Sequence, residues 1–226
     1  MNPVLPDTIA LFDLDRTLLT IDADEAWVEF LMEQGALDRR RFEPAMRSVS
    51  ERYQRGEIGI YEFCEFYLST LPPHAPAQLQ IWRQAYLSER IFPAIATSAR
   101  ALVAKHRAAG HLLVLTTAAN RFLTAPIAAE LGIDNLITTE PQMKGGRYTG
   151  KVEGMPNMRE GKIARLDAWL AERGTTLAAF RESWFYSDSR NDIPLLSRVT
   201  NAVAVNADPA LASLAGEKGW PVIQIG

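Results

Sequence analysis

Four aspartates in two short segments are the residues of this sequence best placed to do chemistry. Asp13 and Asp15 directly follow one apolar run, and Asp188 and Asp192 follow another. Two carboxylates 4 Å apart repel each other by roughly 4 kcal/mol at an effective dielectric constant of about 20, so a bound cation is the simplest relief. A single Asp-x-Asp pair could equally be a helix cap and a solvated side chain, but two pairs meeting at one edge predict a cation site. Oxygen donors without nearby Cys or His favour Mg²⁺, which also takes substrate phosphate as a ligand.

Two further segments carry residues that could hold a phosphate group. Thr117, with the backbone N–H groups of Ala118 and Ala119, follows the apolar run 112–115 and could donate to phosphate oxygens. Lys162 stands at the predicted start of a helix, where a lysine is unfavourable unless an anion compensates it. Each residue alone could equally be a strand threonine or a surface lysine, so their significance depends on their meeting the aspartates.

The elements that must bring these residues together alternate between strands and helices. Short continuous apolar runs are typical of parallel strands covered on both faces, and they occur at 9–12, 112–115, 136–137, 184–186, 202–205 and 222–225. Helical patterns separate them at 94–109, 126–131 and 162–172. The alternation predicts an α/β fold with a doubly wound, Rossmann-like, mainly parallel sheet. Ligands of such sheets bind outside the carboxyl ends of the strands, where the polar residues above are expected.

Residues 20–93 form a connection far longer than a crossover between strands needs. Four amphipathic helical patterns fill it, and such helices can bury their apolar faces against each other as a small bundle. We therefore predict a catalytic core domain of residues 1–19 and 94–226 and an inserted helical cap domain of residues 20–93. Because the insertion follows the first strand, the cap is expected over the carboxyl ends. The Gly-Gly pair at the centre of segment 142–154 predicts a β-hairpin.

Composition narrows the class of protein. The chain has 226 residues, 47% hydrophobic and 23% charged, as is usual for soluble globular proteins. Acidic residues number 27 against 24 basic ones, which argues against a nucleic-acid binder. No apolar run approaches the roughly 20 residues of a membrane span. The chain has a single cysteine, Cys64, which we interpret as a core residue. This cysteine content and the lack of a signal-peptide pattern favour a cytoplasmic location.

The three histidines offer no competing catalytic site. His74, His106 and His111 are expected to lie far apart, and they predict neither a zinc site nor a Ser-His-Asp arrangement.

The order of these motifs resembles that of the haloacid dehalogenase-like hydrolases, and most closely the phosphoserine phosphatase-like subgroup, subfamily IB. The resemblance spans about residues 9–205, and the inserted helices resemble the C1 cap of that superfamily. It rests on Asp13-x-Asp15-x-Thr17, then Thr117, then Lys162, then Asp188-x-x-x-Asp192, together with Thr149-Gly150. Some positions depart from the pattern, because Arg16 and Ser187 stand where glycine is frequent and Thr117-Ala118 stands where the phosphoserine phosphatases have Ser-Gly.

The resemblance implies a role for each matching residue. Asp13 would be the nucleophile that forms an aspartyl-phosphate, and Asp15 would act as general acid and then general base. Thr117, Ala118 and Lys162 would bind the phosphoryl group, assisted by Asn191. The implied ligands of Mg²⁺ are Asp13, the Asp15 backbone carbonyl and Asp188. Asp192 would either be a ligand itself or contact one of the ligands.

Substrate selection is expected in the cap. By the resemblance, Asp22 matches an acidic residue that faces a substrate amine, although it could instead cap the following helix. Arg47, Arg52 and Arg55 could supply a cation for a substrate carboxylate. The implied substrate is a small phosphorylated metabolite, phosphoserine-like or histidinol-phosphate-like, and the protein would be a monomer or a homodimer.

Two other functions remain open at this stage. A phosphotransferase or mutase could pass the same aspartyl-phosphate to a second substrate. A non-catalytic phosphate-binding module is also possible, although every catalytic position is filled.

Overall fold

The computed structural model describes residues 5–226 of the chain. Its strands are β1 (Thr8–Phe12), β2 (Leu112–Asn120), β3 (Asn135–Lys144), β4 (Arg147–Glu153), β5 (Glu182–Ser187), β6 (Asn201–Val205) and β7 (Val222–Ile223). Its α-helices are α1 (Ala23–Glu33), α2 (Arg39–Gln54), α3 (Ile60–Leu68), α4 (Pro76–Tyr86), α5 (Phe92–Ala94), α6 (Thr97–Ala108), α7 (Arg121–Glu130), α8 (Glu160–Ala171), α9 (Ile193–Leu196) and α10 (Pro209–Lys218). None of the helices within these residues has both the length and the apolar character to cross a bilayer.

The strands form one seven-stranded sheet in the order β4-β3-β2-β1-β5-β6-β7. Neighbours pair in parallel except β3 and β4, which are antiparallel. The predicted doubly wound, mainly parallel α/β fold is therefore confirmed. β1 lies between β2 and β5, and all five of its residues are buried, because helices cover both faces of the sheet. The chain leaves β1 toward β2 and later returns to β5, so a crevice opens at the carboxyl end of β1.

Four helices, α1 to α4, occupy the long connection after β1. Their apolar faces join one cluster of buried residues that also contains residues of the sheet and of α7. Trp27 of α1 shows the continuity, because its ring packs against Tyr86 of α4 and Phe122 of α7 at centroid distances of 5.3 Å and 5.7 Å. The division into a core domain of 1–19 and 94–226 and a cap domain of 20–93 remains a prediction.

Two local expectations meet different outcomes. The predicted hairpin is present, with Gly145 and Gly146 at positive φ between β3 and β4. The helix expected from residue 126 instead begins at Arg121, with Pro126 inside it. The reason is the N-terminal capping residue of this helix. The Asn120 side chain accepts from the Leu123 N–H and so starts the helix one turn earlier.

Candidate active site

The ammonium group of Lys162 lies between two carboxylates where β1 ends. Its Nζ is 3.0 Å from Asp13 Oδ1 and 2.7 Å from Asp192 Oδ2. All three side chains are buried, with 3%, 10% and 4% of their surface exposed for Lys162, Asp13 and Asp192. The Ser187 hydroxyl donates to the same Asp192 oxygen at 2.7 Å, so Asp192 is held from two sides. These contacts bring Lys162 together with Asp13, which is 149 positions away in the chain, and with Asp192, which is 30 positions away.

The charges of this group depend on burial and on each other. Burial is the largest influence on Asp13 and raises its pKa to about 6, although Lys162 opposes the shift. Burial alone would lower the pKa of Lys162, but Asp13 and Asp192 together raise it. At neutral pH the lysine therefore carries its charge and Asp13 is mostly ionised.

Asp15 points toward the first turn of the cap and toward the end of β2. Its Oδ1 accepts from the Ala23 N–H at 2.7 Å, and its Oδ2 accepts from the Thr117 hydroxyl at 3.3 Å. Burial and the neighbouring charges of Asp22 and Asp13 raise the pKa of Asp15 well above its ordinary value. The shift favours the protonated form of the carboxyl group, which is the form that a general acid needs.

Asp188 follows β5 and faces the same crevice. Thr17 donates to its Oδ1 at a long 3.5 Å, and burial followed by the charges of Asp13 and Asp192 raises its pKa to about 8. Within residues 5–226, no three acidic, His or Cys side chains lie close enough to enclose a metal by themselves. A cation here would therefore complete its shell with backbone oxygen, phosphate and water, as Mg²⁺ usually does.

Thr117 lies near the end of β2 with its side chain buried, and it contacts the crevice residue Asp15. Its hydroxyl also accepts from the Ala119 N–H at 3.2 Å, so that N–H is not free for phosphate as the sequence suggested. Ala118 is half-buried and lines the cavity. Asn157, which the sequence did not single out, holds this turn by donating to the Thr116 hydroxyl and the Thr117 carbonyl at 3.0 Å and 2.9 Å.

The segment before α8 connects the lysine to the cap. Arg159 has a positive φ of 51°, uncommon for a residue with a side chain. Its guanidinium donates to Asn191 Oδ1 at 3.1 Å and lies 4.9 Å from the ring of Tyr53 in the cap. Asn191 is thus engaged by Arg159, and its predicted contact with substrate remains a prediction. Sequence spacing gave no sign of the Tyr53–Arg159 contact.

A cavity of about 710 Å³ lies between the cap helices and the carboxyl ends of the strands. Asp13, Asp15, Lys162, Asp188 and Asp192 lie on its wall, as the sequence predicted for residues of one site. Its size is within the roughly 300–1,000 Å³ usual for small-molecule sites. The predicted residues are therefore together, but the direct metal-ligand role of Asp192 remains a prediction because Lys162 and Ser187 already occupy one of its oxygens.

Asp22 also lines the cavity, but its oxygens have other partners. It caps α1 by accepting from the Glu25 N–H at 3.0 Å, and its second oxygen is 4.0 Å from Arg16. Arg16, at a positive φ of 54°, also pairs with Glu25 at 2.9 Å. The capping alternative is therefore present in the structure, and a contact of Asp22 with a substrate amine remains a prediction.

The cap side of the cavity carries acidic, polar and aromatic side chains. Among the described residues, no Lys or Arg of α1 to α4 lines it. Arg52 pairs with Glu62 at 3.2 Å and Arg55 pairs with Glu57 at 2.6 Å, both outside the cavity, and Arg47 lies on a separate groove. These arginines could equally have been ordinary residues of a solvated helix face, and the structure shows that arrangement, because acidic neighbours hold two of them at the outer surface.

The expected distance between the histidines is also wrong for one pair. The Nδ1 atoms of His106 and His111 are 2.8 Å apart, because the turn after α6 folds the chain back. His106 Nε2 lies 2.8 Å from the Tyr186 hydroxyl. Neither histidine lines the cavity, so the pair does not compete with the carboxylate site.

Comparison with known proteins agrees with this geometry. Residues 10–197 match the family of haloacid dehalogenase-like hydrolases. The match covers most of the chain and includes every strand-end residue described above, so the protein belongs to that family. The predicted family resemblance is thereby confirmed.

Three similar proteins are informative. A histidinol-phosphatase from Neisseria meningitidis serogroup C (strain 8013) is 40% identical over 216 residues, which cover 95% of this chain and 97% of that protein. The crystal structure of a protein of unknown function from Bordetella pertussis Tohama I has a TM-score of 0.93 and 44% identity, covering 97% of this chain and 99% of that one. A phospho-aspartyl intermediate analogue of phosphoserine phosphatase has a TM-score of 0.68 at 16% identity, covering 98% and 94%, and shows the shared fold.

Proposed function

We propose that this phosphatase is a Mg²⁺-dependent phosphomonoesterase that hydrolyses a small phosphorylated amine through an aspartyl-phosphate on Asp13. The observation that carries the proposal is the buried ammonium of Lys162, 3.0 Å from Asp13 and at the wall of the cavity. A dianionic phosphate ester repels a carboxylate nucleophile, and a fixed cation beside that carboxylate offsets the repulsion. Family membership and the histidinol-phosphatase of Neisseria meningitidis support phosphate ester hydrolysis.

The first step uses Asp13 and Asp15 together. An Asp13 carboxylate oxygen attacks phosphorus, and the bond from phosphorus to the ester oxygen breaks. The leaving oxygen takes the proton of Asp15, whose raised pKa favours the protonated form. Lys162 binds the oxygens of the transferred group, while the Thr117 hydroxyl donates to Asp15.

The second step returns the enzyme to its starting state. A water molecule attacks phosphorus of the aspartyl-phosphate, and the bond to the Asp13 oxygen breaks. Asp15, now ionised, takes the proton of that water. The hydrogen bonds from the Ala23 N–H and the Thr117 hydroxyl fix Asp15 for both transfers.

The residues at the strand ends fit a magnesium ion. Burial and mutual repulsion raise the pKa of Asp13 to about 6 and that of Asp188 to about 8, and a divalent cation relieves such crowding. The carboxylates of Asp13 and Asp188 and the backbone carbonyl of Asp15 would hold it. Bound there, Mg²⁺ would neutralise phosphoryl oxygen charge.

The charge of the cap side favours an amine without a carboxylate. Asp22, Asp24 and Glu25 line it, Arg16 pairs with Asp22 and Glu25, and no Lys or Arg of the described helices α1 to α4 lines it. Phosphoserine would bring its carboxylate against these acids, and like charges placed together cost several kcal/mol. An amino-alcohol phosphate such as histidinol phosphate avoids that repulsion.

Phosphate release from a panel of phosphorylated metabolites tests this function. With Mg²⁺ we expect turnover of histidinol phosphate at a kcat/KM about 100-fold above that of phosphoserine. EDTA should abolish the activity and Mg²⁺ should restore it. Asp13→Asn should lower turnover by about 1,000-fold or more, because the amide cannot act as the nucleophile.

The control for Asp13→Asn is Asp167→Asn. Asp167 lies on α8, the helix of Lys162, but it is exposed and pairs with Arg198 at 2.8 Å. It should keep wild-type activity. Near-normal turnover by a folded Asp13→Asn variant, or full activity in EDTA, would contradict the proposed mechanism.

A further inference from the structure

Asp24 is a cavity-lining carboxylate that the proposed chemistry does not use. It lies in the first turn of α1, two residues beyond the helix cap. Its Oδ1 accepts from the Asn120 side chain at 2.8 Å, so the end of β2 fixes its position from the core side. The residue is half-buried, and Cys64 and Tyr67 line the same cavity.

The neighbouring acids already have a cation, and Asp24 does not. Asp22 and Glu25 both face Arg16, at 4.0 Å and 2.9 Å. No ion pair to Asp24 is formed by any Lys or Arg within residues 5–226. Its donor, Asn120, is neutral. A carboxylate in these surroundings gains most from a cation that arrives with a ligand, because the surrounding dielectric constant is low and no other cation competes.

From this geometry we infer that Asp24, rather than Asp22, is the specificity-determining residue that binds the cationic nitrogen of the substrate's leaving group. The inference rests on the proposed function and assigns its amine selectivity to one side chain. The Asn120 contact acts as the positioning contact, since it holds the Asp24 carboxylate against the wall while the phosphate occupies the strand ends.

The raised pKa of Asp24 agrees with a carboxylate that would be stabilised by a bound cation. Burial, followed by the charge of Asp22, raises the pKa of Asp24 to about 8 in the free protein. The Asn120 contact opposes this shift without cancelling it. Binding an ammonium group would favour the ionised carboxylate and remove that penalty.

Two substrates that differ in the amine alone test the inference. O-phosphoethanolamine carries the ammonium group, and ethyl phosphate lacks it. For Asp24→Asn we expect kcat/KM with O-phosphoethanolamine to fall about 100-fold, mainly through KM, because hydrogen bonds to charged groups are strong and a buried partner is lost. With ethyl phosphate the variant should stay within about threefold of wild type, since no ammonium group is bound.

Asp22→Asn is the matched comparison, because Asn is as good a helix cap as Asp. We expect it to change kcat/KM for the two substrates by the same factor. An equal loss on both substrates for Asp24→Asn, or a loss confined to O-phosphoethanolamine for Asp22→Asn, would overturn the inference. A wild-type protein that releases phosphate neither from these two substrates nor from histidinol phosphate would instead refute the proposed function.

Discussion

At the scale of single residues, Asp24 shows how a side chain suited to binding can weaken the fold. Its pKa is about 8 in the folded protein against the ordinary 3.8, chiefly through burial. The folded state therefore binds the proton more tightly than the unfolded state. Stability from this group is fully present below about pH 4 and is lost as the pH rises to about 8.

Replacing Asp24 by Asn should remove this pH dependence. We expect the variant and the wild type to have similar Tm values near pH 4, and the variant to be more stable by about 1–3 kcal/mol at pH 8, after allowance for screening by solvent at this half-buried side chain. Thermal unfolding at several pH values in metal-free buffer measures the difference. Asp167→Asn serves as the control, and a difference independent of pH would contradict the assigned cause.

Burial also raises the pKa values of the aspartates at the strand ends, but a neighbouring lysine limits the shift for one of them. Burial raises the pKa of Asp13, but the Lys162 ammonium 3.0 Å away limits the shift to about 6. The nucleophile therefore stays mostly ionised at neutral pH, while burial and the charges of Asp22 and Asp13 raise the pKa of Asp15 well above its ordinary value. Two carboxyl groups two residues apart thus acquire opposite roles because one of them faces a lysine.

At the scale of secondary-structure elements, the start of α8 decides where the lysine lies. Gly161 precedes Lys162, and a Cβ atom added to it would lie 2.2 Å from the Pro156 carbonyl oxygen. The N–H groups of Gly161 and Lys162 bond back to the Met158 and Arg159 carbonyls at 2.9 Å and 3.0 Å. The close approach of this turn to the helix therefore requires glycine.

Gly161→Ala should displace the first turn of α8. We expect a loss of about 1–3 kcal/mol in unfolding free energy, and a roughly 100-fold fall in kcat as the Lys162 ammonium moves from Asp13. Gly216→Ala, in α10 with open space around the added methyl group, should instead be neutral or slightly stabilising. Urea unfolding and phosphate release measure the two effects, and equal behaviour of both variants would contradict this account.

At the scale of the whole molecule, the inserted helices and the sheet share one apolar cluster. Trp27 lies at their junction, 1% exposed, with rings of α4 and α7 against it and its indole N–H donating to the Thr70 hydroxyl at 3.2 Å. Asp15 and Ala23, and Asp24 and Asn120, add polar contacts across the same junction. Such shared burial favours unfolding of the inserted helices and the sheet in one transition.

Trp27→Ala should destabilise the whole chain rather than the inserted helices alone. We expect a loss of about 3–5 kcal/mol, with coincident unfolding curves from far-UV circular dichroism and from enzyme activity. Ile81→Ala, at a side chain that is 64% exposed, should change stability by less than about 0.5 kcal/mol. Activity lost at a clearly lower urea concentration than helicity would indicate inserted helices that unfold independently.

Residue types and strand ends predicted the fold class and the gathering of Asp13, Asp15 and Asp188, and the family resemblance added Lys162 to the same site. The physical reason is that parallel strands place their carboxyl ends at one edge, so polar residues that follow apolar runs must meet there. The sequence also predicted helices in the long connection after β1, because the helical spacing of apolar residues persists there for more than one turn.

Only the tertiary structure decided which groups already have partners. Spacing along the chain could not tell that Asp22 caps a helix beside Arg16, whereas Asp24 has no cationic partner within residues 5–226. Nor could it tell that Asn157 holds the turn at Thr117. It also gave no sign of the contact between Tyr53 and Arg159. These relations depend on how the inserted helices pack on the sheet, and that packing fixes distances between residues that local patterns treat as independent.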